Sequence, residues 1–265
     1  MFMQRLITSL VLIPLVLLAL FYAPGWLLMG VAILILMAAG RECWHLIPLQ
    51  GAVRQWGFLV LLLALLWICG YFFSLWLILG LMFWVMIIGA IVTSPFSQTY
   101  WGKPGIVAFA CLLLLPLFIQ SAAHLYLMKE GKAFILYLLC IVWAADTGAY
   151  LVGKRWGKHK LIPKVSPGKS WEGALGGLAV VLLTAAIGFA YFKPASALGW
   201  FGLAGLLFVI SLFGDLFVSM LKRRCHLKDT GQLIPGHGGV LDRLDSVIAA
   251  LPFFYFGIHY GALIR

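Results

Sequence analysis

Residues 199–220 read GWFGLAGLLFVISLFGDLFVSM, twenty-two residues with a single charge, Asp215. A hydrocarbon core of about 30 Å needs roughly 20 mostly apolar residues per spanning helix, so this run is long enough to cross a bilayer. Comparable runs recur along the chain. Nine are read, near residues 6–22, 25–40, 57–73, 75–92, 106–127, 132–152, 171–192, 199–220 and 243–260. With 64% hydrophobic and 10% charged residues and a mean hydropathy of +1.06, the composition lies far outside the soluble globular range. Backbone groups in lipid must be satisfied within the segment, and the alternation of a membrane barrel is absent, so the runs are expected to be helices. The expected fold is all-α, a polytopic membrane protein of about nine spans. Residues 1–130 supply the N-terminal helices, residues 131–265 supply the rest with two charged loops, 153–170 and 222–243, and the whole forms one membrane-embedded unit.

The first run follows Arg5, is longer than a secretory signal core and lacks a small-x-small cleavage site, so it reads as an uncleaved helix. Five cysteines, an odd number without paired spacing, point to neither a disulfide framework nor a zinc site. The N-terminus and the four even-numbered loops hold fifteen of the nineteen Lys and Arg residues, including six from Lys154 to Lys169 and five from Lys222 to Arg243. Lys129, Lys132, Lys193 and Arg265 fall on the other side. The positive-inside bias therefore puts the N-terminus and both charged loops in the cytoplasm and the C-terminus outside a cell inner membrane. Most isolated bases are accounted for by topology and attraction to anionic lipid.

The clustering is not. Six of the eight acids lie between 146 and 245. Asp146, in IVWAADTGAYLVGK, and Asp215 each sit about two turns inside the cytoplasmic end of a helix. Carboxylates at that depth are costly and face either a loop cation or a wet, functional cavity. From Asp215, positions i+4, i+7 and i+8 put Ser219, Lys222 and Arg223 on the same face. Asp242 and Asp245, at i and i+3, can converge, which an acid pair at a helix N-terminus also explains for one of the two. Three converging carboxylates with too few close bases suit Mg²⁺, which completes its shell with water and substrate phosphates.

After Asp215 runs SMLKRRCHLKDTGQLIPGHGGVLDRLDS (219–246), which reaches past Asp242 and Asp245. Its PGHGG turn offers N–H groups to an anion, His237 could donate to a phosphate, and Lys222, Arg223, Arg224 and Lys228 supply positive field. The other cluster, GKRWGKHKLIPKVSPGKSWEGALGG, contains GKS but is not a P-loop, because the first glycine of that motif would fall on Pro163. There Ser166 or Ser170 is expected to cap the next helix with Glu172 in its first turn, a role compatible with an anion site.

The sequence S-x-L-K-R, then K-D, then P-G-H-G-G-V-L-D-R-L-D resembles the signature of the phosphatidate cytidylyltransferases, the CDP-diacylglycerol synthases. ADTGAY and SPGKSWEG resemble a second block, so the likeness covers roughly residues 140–250, with the N-terminal helices alike only in character. Arg224 departs from the pattern as an extra base. The resemblance implies transfer of CMP from CTP to phosphatidate with release of pyrophosphate, a Mg²⁺ requirement and room for a second cation. Phosphatidate, CTP and the lipid bilayer would be the partners, with no nucleic acid, and a homodimer is left open. On this reading Asp215 and Asp242 lead as metal ligands with Asp245 in support. Lys222, Arg223, Lys228, Asp229, His237, Arg243 and the Gly238 and Gly239 amides surround the phosphates, and Asp146, Ser166, Lys169, Ser170 and Glu172 belong to the CTP pocket. Two rivals stand beside it, a CTP-dependent lipid kinase and a membrane transporter. The second would carry polar or broken helices in both halves, whereas the first 125 residues hold one acid.

Overall fold

The computed structural model describes residues 13–94, 97–163, 165–233, 238–261 and 263. Arg5, residues 6–12 of the first run, Lys164, His237 and Arg265 lie outside the described residues. Helices account for every apolar run: α1 (Ile13–Tyr22), α2 (Gly25–Leu46), α3 (Ala52–Tyr71), α4 (Phe73–Val92), α5 (Gln98–Trp101), α6 (Pro104–Tyr126) and α7 (Gly131–Trp156). After a short hairpin, β1 (Lys160–Ile162) and β2 (Ser166–Ser170), come α8 (Trp171–Phe192), α9 (Ala197–Arg224) and α10 (Leu241–Tyr260). Among the described residues seven helices, α2, α3, α4 and α6 to α9, are long and apolar enough to cross a membrane. The protein is an all-α, multi-pass membrane protein.

The ends differ from the apolar runs in one systematic way. Helix α2 continues past residue 40 to Leu46, α7 to Trp156 and α9 to Arg224, so that Arg41, Lys154, Arg155 and Lys222 stand on the last turns of helices rather than in loops. A charge ends an apolar run without breaking the backbone ladder, and cations at a C-terminus are favoured by the helix dipole. The β1–β2 hairpin was not foreseen. Its strands pair antiparallel, Lys160 opposite Ser170 and Ile162 opposite Ser166, with an irregularity between that blurs the alternation by which strands are read.

The core sits on α6, 61% of whose apolar window is buried against 28% for α2, α3, α4 and α8. Several side-chain donors are answered by carbonyls of neighbouring helices. Gln120 Nε2 donates to Leu66 O at 2.9 Å, Trp76 Nε1 to Leu113 O at 2.9 Å and Trp200 Nε1 to Ala185 O at 2.9 Å. Small residues bring α8 close to α7, for a Cβ at Gly177 would lie 2.7 Å from Ala145 O. The α9–α10 contact is equally tight. A Cβ on Gly214 would fall 2.6 Å from Asp245 O, so only glycine lets the first turns of α10 lie beside Asp215.

Candidate active site

Two polar constellations form at the end of the bundle where α2, α7 and α9 finish and α8 and α10 begin. The first is a cavity of about 340 Å³ between α7, α8, α9 and the β2 strand, lined by Asp146, Tyr150, Ser166, Lys169, Ser170 and Asp215 among others. Its cation and one of its acids are paired: Lys169 Nζ lies 2.6 Å from Asp215 Oδ2 and donates also to Leu212 O at 3.3 Å. Ser219 Oγ donates to the other oxygen, Oδ1, at 3.3 Å, as the i+4 spacing anticipates. Asp146 accepts no hydrogen bond from the described residues and feels the charges of Asp215, Lys169 and Arg243. Buried Asp245, accepting among the described residues only Ser246 N at 2.7 Å, feels Asp215 and Asp146. Asp146 and Asp215 thus line one cavity whose cation is Lys169, while Asp245 lies outside that lining, against a separate apolar hollow between α9 and α10.

The second constellation is built around Asp242, and every polar atom in it is satisfied. Lys222 Nζ meets Asp242 Oδ1 at 2.6 Å, while Oδ2 accepts from Thr230 N at 2.8 Å, Thr230 Oγ1 at 3.0 Å and Gly239 N at 3.0 Å. Thr230 Oγ1 also lies 2.8 Å from Glu42 Oε2. Glu42, 5% exposed on α2, in turn accepts from Val240 N at 2.7 Å and Leu241 N at 2.9 Å. It caps α10 from the far half of the chain, where two orphan N–H groups and the positive end of the helix dipole meet a carboxylate. Gly238 has φ +84 and faces Asp242 and Asp229, and a side chain on Gly239 would collide with Thr230 and Glu42. The turn needs glycine there for room.

Most of the expected site residues gather at this end, with different duties. Asp146, Ser166, Lys169, Ser170 and Asp215 share the cavity. Ser170 is the cap of α8, its Oγ accepting from Gly173 N at 3.1 Å. Glu172 is absent from the cavity lining and instead holds the hairpin, 2.6 Å from His159 Nδ1 and 3.2 Å from the N–H groups of Lys158 and His159. The Gly239 N–H is engaged by Asp242, so it does not point a free donor at an anion. Lys222 stands against Asp242, and Arg223, Lys228, Asp229 and Arg243 are exposed. Arg224, the extra base, is a clamp: its guanidinium donates to Gly102 O and Leu46 O, tying α9 to α2 and to the start of α6.

Sequence reasoning gave Glu42 no role. The available signal is its place: it is the one acid of the first 125 residues, at the end of an apolar helix.

No cluster of three His, Cys, Asp or Glu close enough to hold an ion alone occurs among the described residues. Mg²⁺, however, is usually held by one or two carboxylates plus water and substrate phosphates. One or two of Asp146, Asp215 and Asp245 could contribute to such a partial shell, although Asp215 is already paired with Lys169 and Ser219, whereas the Asp242 oxygens accept four protein contacts.

Fold and site together define a multi-pass membrane protein with a carboxylate-and-lysine cavity at one end of the bundle. Residues 3–260 match the cytidylyltransferase family, and the chain belongs to that family. It is 38% identical over 264 residues to a phosphatidate cytidylyltransferase of Pseudomonas aeruginosa, covering 96% of each chain. It is 42% identical over 195 residues to one of Haemophilus influenzae, covering 68% of this chain and 67% of the relative. A Staphylococcus aureus protein of the same name is 47% identical over 127 residues, covering 47% of this chain and 48% of the relative.

Proposed function

We propose that this chain transfers CMP from CTP to phosphatidate, giving CDP-diacylglycerol and pyrophosphate in phospholipid synthesis. The observation that carries the reading is the likeness, over 96% of both chains, to a relative named for that activity, with Asp146, Lys169 and Asp215 meeting in one cavity. A phosphate oxygen of phosphatidate forms a bond to the α-phosphorus of CTP while the bond from that phosphorus to the bridging oxygen breaks and pyrophosphate departs. The phosphomonoester is largely ionised at neutral pH and needs no strong base. Positioning and charge neutralisation therefore supply most of the rate.

Lys169, with Ser166 in the same lining, holds CTP phosphates in the cavity, and Ser170 caps α8 beside them. Arg223 from the end of α9, Lys228 from the loop and Arg243 from the start of α10 lend positive charge, and His237 is a candidate phosphate donor. Asp215 and Asp245, with Asp146 beside them, would hold Mg²⁺, which when bound neutralises polyphosphate charge. Asp242 organises the glycine turn and keeps Lys222 in place. Counting of Lys and Arg places this end of the bundle in the cytoplasm and the C-terminus outside, in a bacterial inner membrane such as the relatives' organisms possess. Neither the lipid-kinase nor the transporter reading gains support from the relatives.

Product analysis tests the reaction. Purified protein with phosphatidate and CTP labelled at the α-phosphorus should place label in lipid, and γ-labelled CTP should place it only in pyrophosphate. Lipid labelled from the γ position would replace the transferase with a kinase, and no turnover would remove both.

A further inference from the structure

A cavity of about 650 Å³, larger than the one just described and sharing no residue with it, opens between α2, α3 and the segment 231–233. Met37, Leu59, Trp44 and Trp56 give it apolar and aromatic walls, and the two tryptophans meet edge to face at 6.5 Å. Arg41 and His45, one helical turn apart on α2, are exposed and bond to no other described residue. The indole N–H of Trp44, buried in the wall, likewise finds no acceptor among the described residues. The one acid of the lining, Glu42, is consumed by Thr230, Val240 and Leu241 and leaves the cationic rim uncompensated.

A cationic rim over an aromatic, apolar hollow at the end of a membrane helix complements an anionic phospholipid. The phosphate would lie between Arg41 and His45, and the glycerol and upper acyl carbons would lie against Trp56 and Leu59. The volume falls within the range of sites for molecules of headgroup size. Glu42 then gives the occupant a route to the chemistry. It belongs to this wall, caps α10, and shares Thr230 with Asp242, which holds Lys222. We infer that this cavity is a second lipid site, separate from the reaction cavity, where an anionic phospholipid binds and, through Glu42, sets the position of Thr230 and of the Gly239–Asp242 turn.

Full-length protein in neutral phosphatidylcholine vesicles is illuminated with a photoreactive phosphatidylglycerol or a photoreactive phosphatidylcholine, and the adducts are mapped to peptides. The anionic probe should label residues 37–59 saturably, compete with unlabelled phosphatidylglycerol, and lose that label in Arg41→Gln/His45→Gln while labels elsewhere persist. Equal labelling by the neutral probe, labelling that never saturates, or indifference to the double substitution would reduce the cavity to ordinary lipid contact and overturn the site. The coupling rests on the proposed transferase activity, but the labelling needs no turnover, so failure of either is recognised separately. Phosphatidylglycerol should stimulate wild-type turnover about fivefold, a usual size for linked sites. Thr230→Val should keep the label and lose the stimulation. Stimulation that survives in Thr230→Val, or its absence in wild type, would overturn the coupling.

Discussion

Asp242 and Asp245 stand one turn apart on α10, yet one is enclosed by donors and the other is nearly bare. Asp242 has Lys222, Thr230 and Gly239 around it, whereas Asp245 accepts a single backbone N–H and looks toward Asp215 and Asp146. A carboxylate saturated by its own protein fixes architecture. One left short of donors next to others of its kind is costly in the resting protein and is tolerated where a ligand completes it. The difference separates a carboxylate held by its own protein, Asp242, from the cavity around Asp215, which the proposed function makes the reaction cavity.

Breaking the reactive side should cost most. Asp215→Asn or Asp245→Asn should lower turnover by about 10³-fold, the scale of losing a main electrostatic contact, with helix content and size-exclusion profile unchanged. Turnover within a few-fold of wild type would move the chemistry elsewhere. Lys169→Met should cost about 10²-fold, because Asp215 loses its partner at 2.6 Å and the phosphates lose a cation, and Lys169→Arg should recover part of it. On the scaffold side, Glu42→Gln keeps the shape and removes the charge that caps α10. It should destabilise the protein by about 2 kcal/mol, read as a lowered thermal midpoint, and raise the KM for CTP more than it lowers kcat. A normal midpoint would mean that the cap is dispensable. Ser170→Ala should cost least, about 1 kcal/mol for a lost N-cap.

The sequence is most legible where one physical signal dominates. Apolar length marks the helices, so each expected run coincides with one over its described residues, and the i+4 spacing does bring Ser219 to Asp215, whereas Lys222, expected on the same face with Arg223, bonds Asp242. Asp146, Ser166, Lys169 and Ser170, read as one pocket, do share a cavity with Asp215. What a linear reading misses is competition between partners distant in the chain. Glu172 has the composition of a pocket acid, but the hairpin brings His159 to it. Gly239 has the look of an anion-binding amide, but Asp242 takes its N–H. Arg224 resembles one more phosphate base, but the carbonyls of Leu46 and Gly102 occupy it. Glu42 lies 188 residues from Thr230, and nothing local announces that they meet.

The division between scaffold and reactive cavity is tested most directly by the Mg²⁺ dependence of CMP transfer in Asp215→Asn and Asp242→Asn, measured side by side at saturating CTP. Removing a cation-holding carboxylate should raise the Mg²⁺ concentration for half-maximal turnover in Asp215→Asn by about tenfold or more, or abolish turnover, because metal affinity falls on that scale. In Asp242→Asn the half-maximal Mg²⁺ concentration should stay at the wild-type value while turnover falls and the KM for CTP rises. A Mg²⁺ requirement raised in Asp242→Asn and unchanged in Asp215→Asn would contradict the account and make Asp242 the metal ligand.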